Sequence, residues 1–132
     1  MTGYYEWVEV PDGKNPYFIH HPDGDLLHAA DLTTAKKADH GWDVTFTIIT
    51  REARDAGGEV PARRPAFLTS DTINDWRTPG KLDSTEKDHM LETLRGASDT
   101  VSGQLRTHRV DRAVNNVRTL TRTDPTLIEA ID

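Results

Sequence analysis

The densest run of groups able to hold a metal or move a proton lies between residues 20 and 43: His20, His21, Asp23, Asp25, His28, Asp31, Asp39, His40 and Asp43. Imidazole and carboxylate are ligands for zinc, manganese or iron, and a neighbouring carboxylate raises the proton affinity of an imidazole for acid–base work. The spacing argues against one site. His20 and His21 are adjacent on an expected strand and point to opposite faces. Asp23 and Asp25 belong to a turn, Asp31 reads as a helix cap, and Asp39-His40 closes a helix where histidine is ordinary. A metal-dependent enzyme built on the His/Asp cluster at 20–43 is therefore carried as an alternative only. No catalytic, cofactor-binding or metal-binding residue is assigned, and no cofactor is expected.

Other chemistry is excluded more firmly. The chain of 132 residues has no cysteine, which removes disulfides, thiolate catalysis, iron–sulfur clusters and cysteine zinc sites. It has no G-x-S-x-G elbow, glycine-rich phosphate loop, H-E-x-x-H or EF-hand spacing. Three of its four serines, Ser70, Ser84, Ser98 and Ser102, fall at expected helix starts or breaks, where a hydroxyl caps. The formal net charge is −6, yet it is unevenly placed. Residues 1–60 hold five Lys or Arg against eleven Asp or Glu, whereas residues 100–123 hold Arg106, Arg109, Arg112, Arg118 and Arg122 against Asp111 alone. Arg112, Arg118 and Arg122 are the candidate partner-binding residues. A nucleic-acid-binding regulator using these Arg-rich C-terminal helices, or the Ser70–Arg77 helix with the preceding strands as a wing, is the second alternative. Overall acidity and the scatter of the arginines around a helix disfavour it, so a nucleic-acid partner is not expected.

The elements that must position these groups follow from periodicity. Tyr4–Val10, Tyr17–His21 and Asp25–Ala29 are separated by two Pro-Asp-Gly turns and predict a three-stranded meander. Asp31-Leu32-Thr33-Thr34 predicts a short capped helix through Ala38, stopped by Gly41. Trp42, Val44, Phe46 and Ile48 alternate with polar residues, which predicts a strand with one face turned inward. Asp55–Gly58 reads as a loop, and Val60–Thr69 as a returning strand limited by Pro61 and Pro65. A short helix spans Asp71–Arg77, and Asp83 with Glu86 forms a capping box for a long helix.

Met90, Leu94, Ala97, Val101 and Leu105 make one helical stripe, while Val110, Ala113, Val114, Val117 and Leu120 make another about half a turn away. Two helices, or one sharply kinked helix, should therefore meet near Thr107–Arg109, and two separate helices would bury Leu94, Val101, Val114 and Val117. A break at Gly96–Asp99 is the alternative to one continuous rod. Asp124-Pro125 caps a final short helix over Thr126–Ile131.

The stretch Ile73-Asn74-Asp75-Trp76-Arg77-Thr78-Pro79, followed by a capped helix with Glu86, Met90, Leu91 and Leu94, resembles the Trp-x-x-Pro segment of small bacterial immunity proteins that neutralise polymorphic toxins. The resemblance covers residues 66–95. It implies a non-enzymatic interaction protein, and it carries over no functional residue because the segment is structural in such proteins.

The expectation is a single α+β domain over residues 1–132, strand-rich to residue 69 and helix-rich from 70, its antiparallel sheet packed against C-terminal helices. Its expected role is that of an immunity or regulatory protein with a protein partner. With no signal-like N-terminus and no apolar run of membrane length, no membrane partner is expected and a cytoplasmic location is.

Overall fold

The computed structural model describes residues 1–52 and 63–131. The expected loop at Asp55–Gly58 and the first part of the Val60–Thr69 strand lie outside them. The chain is α+β, with antiparallel strands in the N-terminal part and a long helix in the C-terminal half. It divides into two compact units, one holding residues 1–27 and 104–131, the other residues 28–51 and 63–103.

The first unit is built on a three-stranded antiparallel sheet in the order β1 (Gly3–Val10), β2 (Gly13–His20), β9 (Arg106–Arg109). Pro11 and Asp12 form the turn, and eight residue pairs run from Val10↔Gly13 to Gly3↔His20. β9 then adds to the free edge of β2, pairing Tyr17↔Arg109 through His20↔Arg106. This corrects the meander, whose third strand was expected from Asp25–Ala29. Phe18, Val110, Val114 and Leu127 form the core of this unit, with Tyr5 and Leu120 against it.

The second apolar stripe is not a helix. Val110 follows β9, its N–H donates to Pro16 O, and Asp111 caps a 3-10 turn over Arg112–Asn115 by accepting from Ala113 N. An extended segment between two helical ones changes the phase of the stripe, which is the half-turn offset seen in the sequence. Val114 is buried, but Val117 is 71% exposed and leaves the core. The final helix is likewise only a 3-10 turn, Pro125–Ile128, capped by Asp124.

In the second unit, β3 (His28–Ala29) pairs with β8 (Phe67–Leu68), and β6 (Thr50–Glu52) with β7 (Arg63–Pro65). Ala30, Ile49 and Ala66 knit these strands through main-chain hydrogen bonds of 2.8–2.9 Å. The expected capped helix at Asp31–Ala38 is instead strand β4, paired over its full length with β5 (Gly41–Ile48). Eight cross-strand pairs and a two-residue Asp39-His40 turn override local helix preference, and Gly41, at φ 130°, is stop and turn residue at once.

β5 is a strand as expected, but no residue of it is turned into a core. Helix α1 (Ile73–Arg77) and helix α2 (Ser84–Gln104) complete the unit. The capping box forms as expected, Asp83 N donating to Glu86 Oε2 (3.0 Å) and Glu86 N to Asp83 Oδ1 (2.8 Å). α2 is continuous through Gly96 and Gly103, and it buries Leu94, Ala97, Ser98, Val101 and Ser102. Trp76 fills the Ala30, Ala66, Leu68, Leu94 core and donates its indole N–H to Asp31 O (3.1 Å). No helix among the described residues is long and apolar enough to cross a membrane.

Candidate active site on the Glu6 face

Successive strand residues alternate between faces, and directly paired residues share one. The register therefore sorts the first unit's sheet into two faces. Tyr5, Phe18 and His108 lie on one, over the core. Tyr4, Glu6 and Val8 lie on the other with Asn15, Tyr17 and Ile19 of β2 and Thr107 and Arg109 of β9. Glu6, Tyr17 and Arg109 make one row across the three strands.

The core face fixes the row in place. Phe18 packs on Tyr5 at a centroid separation of 5.4 Å, Tyr5 Oη donates to Leu127 O, and the Trp7 indole donates to Asn115 Oδ1 at 2.7 Å. Asn115 in turn donates to Lys14 O at 3.0 Å. Gly3 is required beneath: a Cβ there would lie 2.4 Å from the Phe18 ring and 2.6 Å from Ile19 O.

On the opposite face Glu6 is half-buried, and that burial raises the pKa of its carboxyl above the ordinary glutamate value. Arg109 Nε is buried without a hydrogen-bond partner among the described residues. Arg112 lies at the turn end of the same face, since a side chain at Gly13 would reach within 3.8 Å of its Nη1. It forks onto Asp12 (3.0 and 3.2 Å) and Asn15 (2.8 and 3.0 Å). The Arg112 hydrogen bond, then its charge, holds the Asp12 carboxyl below its usual range, with a smaller contribution from Arg109. One face thus joins a carboxyl whose proton affinity is raised by burial to two guanidinium groups.

Of the residues singled out in the sequence, the structure brings Arg112 to this face and leaves Arg118 and Arg122 exposed in the turns beyond it. The His/Asp cluster is dispersed. His40 and Asp43 pair at the β4–β5 turn (2.6 Å), His28 is on β3, and His20 stacks on Phe18 and meets His108 edge-on at 5.1 Å. His21, Asp23 and Asp25 do come within 4.8 Å of one another, at the exposed Pro22-Asp23-Gly24 turn. Glu6 was missed because an acid inside Tyr4-Tyr5-Glu6-Trp7 reads as the polar position of a strand. The signal was its place on the face opposite the buried aromatics, which only the register reveals.

With this geometry in view, comparison with known proteins is informative. The family described as SRAP, SOS response associated peptidase, matches residues 1–117. The chain is 29% identical over 118 residues to the abasic site processing protein YedK of Escherichia coli, covering 88% of this chain and 50% of that protein. It is 36% identical over 72 residues to the abasic site processing protein YMR114C of Saccharomyces cerevisiae (54% of this chain, 19% of that one). To the abasic site processing protein HMCES of Gallus gallus it is 26% identical over 137 residues (88% and 38%). A crystal structure of a Bacteroides thetaiotaomicron protein shares the fold at a TM-score of 0.69 and 21% identity, covering 98% of this chain and 54% of that one. The chain thus spans about half the length of the first of these relatives.

These matches correct the reading drawn from Trp76-x-x-Pro79. The likeness to immunity proteins gives way to a family match over most of the chain, and Trp76 is a core residue of the second unit. The non-enzymatic reading falls with it, because the family is described as a peptidase and the relatives as processing proteins. The expectation against nucleic acid is overturned as well, since the relatives are named for abasic sites, a nucleic-acid lesion.

Proposed function

Because the chain belongs to the SRAP family, we propose that it carries the nucleic-acid-holding and proton-transferring part of an abasic site processing protein. One observation carries this reading. Glu6, whose carboxyl is pushed up by burial, shares a sheet face with Arg109, whose Nε is buried and unpartnered among the described residues.

An abasic deoxyribose interconverts between a closed hemiacetal and an open aldehyde. Opening the ring places a proton on the ring oxygen and removes one from the hydroxyl. A carboxyl whose proton affinity is raised by burial is suited to the first step, and its carboxylate to the second. Arg109, half-buried on this face, would hold a phosphate flanking the lesion through its guanidinium, and Arg112, already forked onto Asp12 and Asn15, would add positive potential at the turn end. Arg118 and Arg122 are proposed as outer phosphate contacts. A thiol is not among the groups this chain contributes, because it has no cysteine. Its location is then that of the nucleic acid it binds, the cytoplasm in a bacterial cell.

The test uses single-stranded oligonucleotides that differ only in one abasic site. The chain should bind the abasic strand more tightly than the intact one, by fluorescence anisotropy. Arg109→Gln should weaken binding and lower the salt slope by about 0.7 per lost phosphate contact. Glu6→Gln should leave binding in place and slow aldehyde formation, read by trapping with a hydroxylamine probe, by about 100-fold or more. Equal affinity for both strands, or an unchanged trapping rate in Glu6→Gln, would refute the reading.

A further inference from the structure

In the strand order β1–β2–β9, β1 is an edge of the sheet among the described residues. Glu6 therefore has one directly paired neighbour on its face, and that neighbour is Tyr17. Arg109 pairs with Tyr17 from the other side. Adjacent strands lie about 5 Å apart, which sets the backbones of Glu6 and Arg109 about 10 Å from each other, with Tyr17 rooted midway. Along β1 the same-face neighbours of Glu6 are Tyr4 and Val8, both half-buried, and the buried Ile19 lies diagonally across from it. Tyr17, itself half-buried, stands on the side that faces Arg109.

We propose that Tyr17 is a positioning residue for Glu6: its ring shields the carboxyl from water and stands between that carboxyl and the Arg109 guanidinium. The proposal rests on the acid–base reading of Glu6 and deepens it by naming the side chain that sets its proton affinity.

Water and a nearby guanidinium both stabilise a carboxylate, so a ring that excludes the first and separates the second favours the protonated form. The direction agrees with the raised pKa of Glu6, whose cause is burial. The other titratable or charged groups of this face are Tyr4 on β1 and, at the turn end, Arg112 and Asp12, which pair with each other. Shielding needs the ring and not the hydroxyl, which separates it from a phenol hydrogen bond to the carboxyl.

The experiment follows the Glu6 side-chain carboxyl of the whole chain by carbon-13 NMR through a pH titration without substrate, its resonance assigned by its absence in Glu6→Gln. Tyr17→Ser should move the midpoint to lower pH, toward that of an ordinary glutamate, whereas Tyr17→Phe should keep the parent midpoint. With the abasic oligonucleotide and the hydroxylamine probe, the loss of trapping rate with rising pH should move to lower pH in Tyr17→Ser and return in Tyr17→Phe. Far-UV circular dichroism establishes that each variant is folded, and Tyr17→Thr serves where the serine variant is not. An unchanged midpoint in the folded serine or threonine variant would overturn the proposal. So would a shift in Tyr17→Phe equal to that in Tyr17→Ser, which would assign the effect to the hydroxyl. The titration contains no nucleic acid, so it decides the role of Tyr17 even where Glu6→Gln leaves trapping unchanged and the acid–base reading of Glu6 falls.

Discussion

The hairpins β1–β2 and β4–β5 each have eight cross-strand pairs, but they differ in what lies on their faces. On β1–β2, Phe18 and Tyr5 are covered by Val110, Val114 and Leu127, and β9 occupies one edge. On β4–β5, Trp42, Val44 and Phe46 are exposed, and neither strand has a second neighbour among the described residues. Alternation in sequence specifies that a strand has an apolar face. It does not specify that the same polypeptide supplies the cover.

The sharpest way to break this comparison is to truncate one aromatic from each hairpin. Phe18→Ala should lower unfolding stability by about 3 to 5 kcal/mol in a urea titration, since it empties a filled core. Phe46→Ala should change it by only about 0.5 kcal/mol or less, as for other exposed positions. Comparable losses would mean that the hairpin ladder is covered after all.

A second contrast concerns glycines. Gly3→Ala drives a methyl into the Phe18 ring and Ile19 O, and should cost about 1 to 3 kcal/mol. Gly96→Ala, on an open face of α2 where an added Cβ meets nothing within 4 Å, should stabilise by about 1 kcal/mol. Thermal unfolding of both variants reads the difference in sign.

The smallest effects are electrostatic and fall on opposite sides of the ordinary carboxylate range. Asp12 has a depressed pKa, so its contribution is complete above the ordinary aspartate value and is lost as pH falls through the depressed one. Asp12→Asn should flatten the acid limb of stability against pH. Glu6 has a raised pKa, so its contribution is present below the ordinary glutamate value and is lost as pH rises through the raised one. Glu6→Gln should remove that loss and leave the acid limb intact, as urea midpoints from about pH 3 to 7 would show.

Much of the second unit was legible locally. Asp83 and Glu86 lie at the spacing that lets two side chains satisfy two N–H groups, and Leu94, Ala97 and Val101 repeat at helical spacing; both features formed as read. Val110 through Leu120 also repeats at helical spacing, yet it became a 3-10 turn that buries only Val114 and then an exposed segment, because β9 attaches to β2 and sets where Val110 must lie. Asp31–Ala38 carried a helix cap, and pairing with β5 overrode it.

The sequence by itself determined the α+β class, the turns at Pro11-Asp12 and Pro22-Asp23-Gly24 and the capping box, because each depends on residues close in the chain or on composition. Only the tertiary structure decided that Glu6, Tyr17 and Arg109 form one row. Arg109 reaches the β1–β2 hairpin from a strand separated from it by most of the chain, and which face each residue presents is set by a register that shifts every side chain to the other face if it slips by one residue.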